Sequence, residues 1–108
     1  MADTLKTNFI ESTDTTVLNC VPANVDSTKT VLSIVICNTD ASDSTEFDLY
    51  YYDNSSNIRI YNNQSLPAKA TFIHNDKIVL EAEDELWVNA SASSSTINYV
   101  VSFLEQTA

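Results

Sequence analysis

The sequence contains no glycine. Loops that cradle a phosphate need backbone close to the anion, and glycine permits that approach, so the glycine-rich nucleotide-binding loops are excluded. Hairpin turns ordinarily use glycine where φ is positive. Here Asn and Asp must serve instead, because their short side chains bond their own backbone and tolerate the left-handed region. Asp53-Asn54, Asn62-Asn63 and Asn75-Asp76 are the expected positions.

Cations are nearly as scarce. Five Lys and Arg stand against 15 Asp and Glu, a net charge of −10. A nucleic-acid binder needs cations to displace phosphate counterions, so the chain repels DNA and RNA, and anionic membrane surfaces as well. Such a charge gives solubility and guards against random association, or steers the chain toward a basic partner surface. With two Cys and one His, the chain cannot make a structural zinc site of four Cys or His ligands. Cys20 and Cys37 lie in apolar runs, where free Cys behaves as a small buried hydrophobe; free thiols are expected rather than a disulfide between neighbouring strands. Met1 to Lys6 has no apolar signal-peptide segment, and no run approaches the roughly 20 apolar residues that span a bilayer. Synthesis and folding in a cytoplasm are expected.

What is present is β-forming. Val, Ile, Thr, Tyr and Phe are plentiful, and no segment shows convincing helical periodicity. Short runs separated by polar punctuation predict strands over Thr4–Ser12, Thr15–Val21, Thr28–Asn38, Glu46–Asp53, Asn57–Asn62, Leu66–Ile73, Lys77–Leu80, Glu85–Ala90 and Thr96–Gln106. This regular spacing predicts an all-β fold, an antiparallel β-sandwich of jelly-roll type with about eight to nine short strands. Residues 1–108 form one expected domain, with no linker or internal repeat. Leu32, Ile34, Ile36, Phe47, Leu49, Ile78, Leu80, Leu86, Val88, Val101 and Phe103 are the expected core.

Alternation raises a further point. In Thr28–Asn38, Leu32, Ile34 and Ile36 share one face, and Val31, Ser33, Val35 and Cys37 the other. In Thr96–Gln106, Ile97, Tyr99, Val101 and Phe103 oppose Asn98, Val100, Ser102 and Leu104. Both strands are apolar on two sides, whereas a strand facing water is polar on one. Another subunit is the expected cover, with a closed barrel and a tucked-in terminal strand as the alternative. In Glu46–Asp53, Phe47, Leu49 and Tyr51 share a face, with Tyr50 and Tyr52 behind. These tyrosines are expected to pave a sheet and anchor their hydroxyls at its rim, rather than stack a sugar. Trp87 caps the core edge or anchors an interface. Val35, Tyr50, Tyr52, Trp87 and Val100 are the interface candidates.

Catalytic signals are sparse. His74 precedes a loop with no nucleophile motif, and a solvated side chain is expected. Glu81, Glu83, Asp84 and Glu85 crowd one turn, where side chains point outward in different directions rather than flanking a cleft. That loop, and the one carrying Asp40 and Asp43, match no EF-hand, so no metal is assigned. Three Asn-x-Ser matches, at Asn54, Asn63 and Asn89, are expected by chance in a chain this rich in Asn and Ser. No catalytic residue, metal or cofactor is assigned.

The segment Ile78-Val-Leu-Glu-Ala-Glu-Asp-Glu-Leu-Trp-Val-Asn-Ala-Ser-Ala-Ser, with the closing Tyr99-Val-Val-Ser-Phe-Leu-Glu105, resembles small structural proteins of tailed bacteriophages, including those of marine phages and cyanophages. The likeness extends to a Thr-rich opening strand, to Thr15–Pro22 and to Val31–Asn38. Glu83 stands where those relatives usually carry Gly, a departure that concerns the turn. The resemblance implies a virion component with no enzymatic residues. Head decoration or cement proteins come first, bridging subunits of the major capsid protein as homo-oligomers, with trimers the expected form. A tail, neck or fibre-base protein is the first alternative. A carbohydrate-binding attachment module using Tyr50, Tyr51, Tyr52 and Trp87 is the second.

Overall fold

A computed structural model describes residues 2–12, 17–24, 26–53, 55–90 and 96–107, without the side chain of Ala2. The start of the expected second strand at Thr15, Asn54 of one expected turn and the expected loop Ser91–Ser95 lie outside the described residues.

Every regular element among the described residues is a strand: β1 (Ala2–Ser12), β2 (Leu18–Val21), β3 (Ser27–Asn38), β4 (Thr45–Tyr52), β5 (Asn57–Leu66), β6 (Thr71–His74), β7 (Ile78–Leu80), β8 (Glu85–Ala90) and β9 (Ile97–Thr107). They form two antiparallel sheets. One has the order β1-β9-β3-β6, with β7 also paired to β3; the other is β2-β8-β4-β5. β6 and β7 pair with different halves of β3 and act as one interrupted strand. Counted so, eight strands run in the two interleaved four-strand orders of a jelly roll, as the spacing of the runs predicted.

The core lies between the sheets. Ile34, Ile36, Phe47, Leu49, Leu66, Leu80, Leu86, Val88, Ile97, Tyr99 and Val101 are sealed from solvent, and Phe103 nearly so. Phe72 and Tyr61 meet edge to face at 4.9 Å and pack beside Phe47, closing the side where β6 approaches β5. Of the expected core residues, Ile78 is half-buried and packs against the core.

Leu32 is not a core residue. The register of β3 on β9 steps from Val31↔Phe103 to Ser33↔Ser102, so two residues of β3 are matched by one of β9. That is a β-bulge, and it reverses the inside–outside parity of everything before it. Lys29 and Val31 therefore share the inner face with Ile34 and Ile36, and Val31 is fully buried while Leu32 is half-exposed. Alternation read without the bulge put Leu32 inside and Val31 outside.

The turns also differ from expectation. β5 runs through the expected turn at Asn62-Asn63 and ends at Leu66, with register breaks against β4. Asn63 does adopt positive φ (51°), at a break within the strand. Its N–H donates to the buried Asp48 carboxylate at 2.7 Å, which satisfies a donor the ladder has released. The segment expected as a strand from Leu66 turns at Pro67–Ala70 instead, since proline brings no N–H to a ladder. Ala70 N–H closes this turn on the Pro67 carbonyl at 3.0 Å. Lys69 takes the positive φ (63°) that a glycine would otherwise supply. Among the described residues only Asn63 and Lys69 have positive φ, so Asn75-Asp76 turns without it.

Candidate functional site

The two outer faces of the sandwich differ in kind. On the five-stranded sheet the registers align side chains into rows that cross the strands. Phe9 pairs with Val100, Val100 with Val35, and Val35 with Ile73. A second row joins Leu5 to Leu104, Leu104 to Thr30, and Thr30 to Val79. Between them runs a row of small hydroxyls, Thr7, Ser102 and Ser33. Directly opposed residues of a strand pair lie on the same face, so all three rows point away from the core. Phe9 is 79% exposed, Leu5 74%, Ile73 56% and Val79 53%. Among the described residues, four of the six large exposed apolar side chains thus share one face. A solvated outer sheet face is polar. Here the paired charged residues on that face are Asp3 and Glu11, at the two ends of β1.

This surface contains two of the expected interface residues. Val35 and Val100 are direct cross-strand neighbours at its centre, both half-buried by the side chains around them. Phe9, Leu5, Ile73 and Val79 escaped the sequence reading. Their signal lies in register: β1 reads as a plain Thr-rich strand until its partner residues on β9 are known. The alternative cover, a tucked-in terminal strand, is not what the structure shows. β1 is an edge strand beside β9, and it leaves this face open.

The other three candidates meet on the opposite side, outside the four-stranded sheet. Tyr50 pairs with Trp87 across β4 and β8. The Tyr52 ring stacks on the Trp87 indole at 4.3 Å with an interplanar angle of 16°, and Tyr50 meets Trp87 edge to face at 6.4 Å. The Arg59 guanidinium sits 4.5 Å above the Tyr50 ring and 3.1 Å from the Asp48 carboxylate. Only 5% of Tyr50 remains exposed, and its hydroxyl donates to Asn89. Tyr51 faces the core side and donates to the buried Asp84 carboxylate; burial, then that carboxylate, pushes the Tyr51 hydroxyl pKa up. These rings are occupied with one another, which fits paving better than a splayed platform for a sugar.

The other polar groups have structural work. His74 is buried, not solvated as expected. It pairs with Ile34 at the end of β6, and its Nδ1 lies 2.7 Å from the Tyr61 hydroxyl across the gap between the sheets. Asp84 does not point outward either: it accepts from the Glu81 N–H at 2.8 Å and so ties the acidic turn together. Asp40 accepts from the N–H groups of Ser42 and Asp43, both at 2.9 Å, and these bonds hold its carboxyl below its ordinary pKa. Among the described residues no three His, Cys, Asp or Glu side chains gather as metal ligands would. Cys20 and Cys37 are free thiols. Cys20 is buried, with its thiol pushed up to about 12 by burial, whereas Cys37 is half-exposed beside Thr71 and Asn98.

At one end of the sandwich Lys6 and Lys29 converge on a recess that also holds Glu105. Glu105 accepts from Lys6 at 2.6 Å, Ser27 at 3.1 Å and Asn24 at 3.3 Å, with Lys6 the largest cause of its lowered pKa. Lys29, buried by the parity change at the bulge, donates to the Pro22 carbonyl at 2.7 Å, and burial lowers its pKa.

No family model matches the chain, and no curated protein matches it in sequence. Solved structures do match in fold. A pilus subunit of Bacillus endospore appendages aligns with a TM-score of 0.60 and 7% identity, over 98% of this chain and 89% of that one. The capsid structure of the Helicobacter pylori bacteriophage KHP30 contains a chain that aligns with a TM-score of 0.60 and 8% identity, over 96% and 88%. The Drosophila NLP-core, described in terms of pentamer formation and histone binding, aligns with a TM-score of 0.59 and 12% identity, over 97% and 100%. At these identities the likeness is one of fold, and the sandwich found here is shared by a phage capsid, a pilus and a pentamer-forming core.

Proposed function

We propose that this chain is a structural component of a virus particle, a head decoration or cement protein of a tailed bacteriophage. One observation carries the reading: the outer face of the five-stranded sheet bears two exposed apolar rows and is almost free of charge, in a chain of net charge −10. Exposed apolar patches with polar rims mark interaction sites, and charge is depleted at the centres of interfaces. The resemblance to small phage structural proteins supplies the setting. The fold is compatible with it, since a phage capsid chain and oligomer-forming proteins adopt the same sandwich.

The mechanism is passive. Copies associate and bridge neighbouring capsid subunits by burying apolar sheet surface. Each contact is modest, and repetition over a shell makes the many sites effectively permanent. A reconstruction of the virion tests this. Density for the sandwich on the outer shell, in copy number comparable to the major capsid protein, is the expected result. A low-copy ring in the tail or neck would move the protein to the alternative placement, and absence from the particle would overturn the virion reading.

A further inference from the structure

We propose that the outer face of the five-stranded sheet binds a second copy of this chain, face to face about a two-fold axis parallel to the strands. The inference deepens the assembly reading above by naming the partner and the geometry.

Three observations point to the chain itself. The first is pattern. The face reads apolar row, hydroxyl row, apolar row, symmetric about Ser102, so a two-fold axis brings apolar rows onto apolar rows and hydroxyls onto hydroxyls. An isologous contact needs this self-complementarity. The second is charge. Two copies of a chain with net charge −10 repel unless they meet where charge is lacking, and this face is such a place. The third is area. Strands of 11 or 12 residues, at about 3.4 Å per residue and about 4.8 Å between strands, give a face of roughly 700 Å² per copy, or about 1,400 Å² for the pair, within the size of stable specific interfaces.

The strand-paired charges favour one of the two possible axes. An axis across the strands would lay β1 on β1 in reverse and set Asp3 against Glu11 of the mate, twice over. An axis along the strands reverses the strand order instead. β1 then covers β6 and β7 of the mate, with Phe9 over Ile73, Leu5 over Val79 and Val100 over Val35. Among the strand-paired residues no like charges face each other in this arrangement, and Asp3 falls beyond the end of β7 of the mate, toward Glu81. It also makes the unit contact two-fold, so the expected trimers would need a different surface.

Phe9 and Ile73 lie on opposite edge strands of one chain but face each other across the pair. Sedimentation of the full chain at micromolar concentration should therefore show a pair of 12.0-kDa copies. Phe9→Lys should weaken it by at least about 100-fold, since each pair loses the aromatic anchor twice. Ile73→Glu should also dissociate it, and the double variant should restore association by placing Lys against Glu. Circular dichroism and cooperative melting confirm that each variant folds, as both positions are exposed. Restoration by Phe9→Lys with Leu5→Glu, and not with Ile73→Glu, would overturn the chosen axis. Association that survives Phe9→Lys would overturn this face while leaving assembly in place. A wild-type chain that stays monomeric would overturn the assembly reading itself.

Discussion

Replacing Val31 and Leu32 separately by alanine should reverse the order that their sizes suggest. Leucine loses more atoms, and at a sealed site Leu→Ala costs about 2.7–5 kcal/mol. The bulge between Val31 and Ser33 makes Val31 the sealed residue and leaves Leu32 half-exposed. Val31→Ala deletes two methyl groups at about 0.8 kcal/mol each and leaves a small cavity, for a cost of roughly 1.5–2.5 kcal/mol. Leu32→Ala removes side chain from a site water already reaches, so about 1 kcal/mol or less is expected. Urea unfolding in the Phe9→Lys background keeps association from adding to the measured stability. With a slope of about 1–3 kcal/mol/M, Val31→Ala should lower the midpoint by roughly 1 M with the slope unchanged, and Leu32→Ala by well under half of that. A larger loss for Leu32→Ala would refute the bulge and the parity assigned to the first half of β3.

Lys69 holds positive φ at Pro67–Ala70, so Lys69→Asn should raise stability by a few tenths to about 1 kcal/mol, read as a higher melting temperature. Glu105 has a lowered pKa in the folded chain, chiefly through Lys6, so its contribution is present above the ordinary carboxyl value of 4.5 and is lost as pH falls through the lowered folded value. Glu105→Gln should accordingly be destabilised by roughly 1–3 kcal/mol at neutral pH, with the gap to wild type closing in acid, as followed by urea midpoints against pH. Asp84→Ala removes the acceptor for both Tyr51 and Glu81 N–H and should cost about 1–3 kcal/mol, with faster amide exchange at Glu81.

Much of the fold was legible because the strands are short, β-branched and evenly punctuated. Glu85–Ala90 was bounded correctly by simple alternation of Leu86, Val88 and Ala90 with Glu85, Trp87 and Asn89. What alternation cannot see is an extra residue. One bulge at Leu32 inverted half of β3, and β5 ran through Asn62-Asn63 because Asp48, distant in sequence, takes the Asn63 N–H. Local chemistry likewise misjudged His74 and Asp84. Their partners, Tyr61 and Tyr51, arrive from other strands. The candidate surface was half-readable. The two-sided apolar character of β3 and β9 exposed Val35 and Val100, whereas the extension to Phe9 and Ile73 depends on pairing across four strands.

In the working assembly the outer face of the five-stranded sheet should be covered by protein. Photochemical carbene footprinting of the dilute Phe9→Lys monomer, the concentrated wild-type chain and the intact particle reads this directly. Leu5, Ile73 and Val79 should label strongly in the monomer and be protected in the other two samples, while Ile58, exposed on β5, serves as the reference. Equal labelling of Leu5, Ile73 and Val79 in all three samples would mean that this face stays open to water.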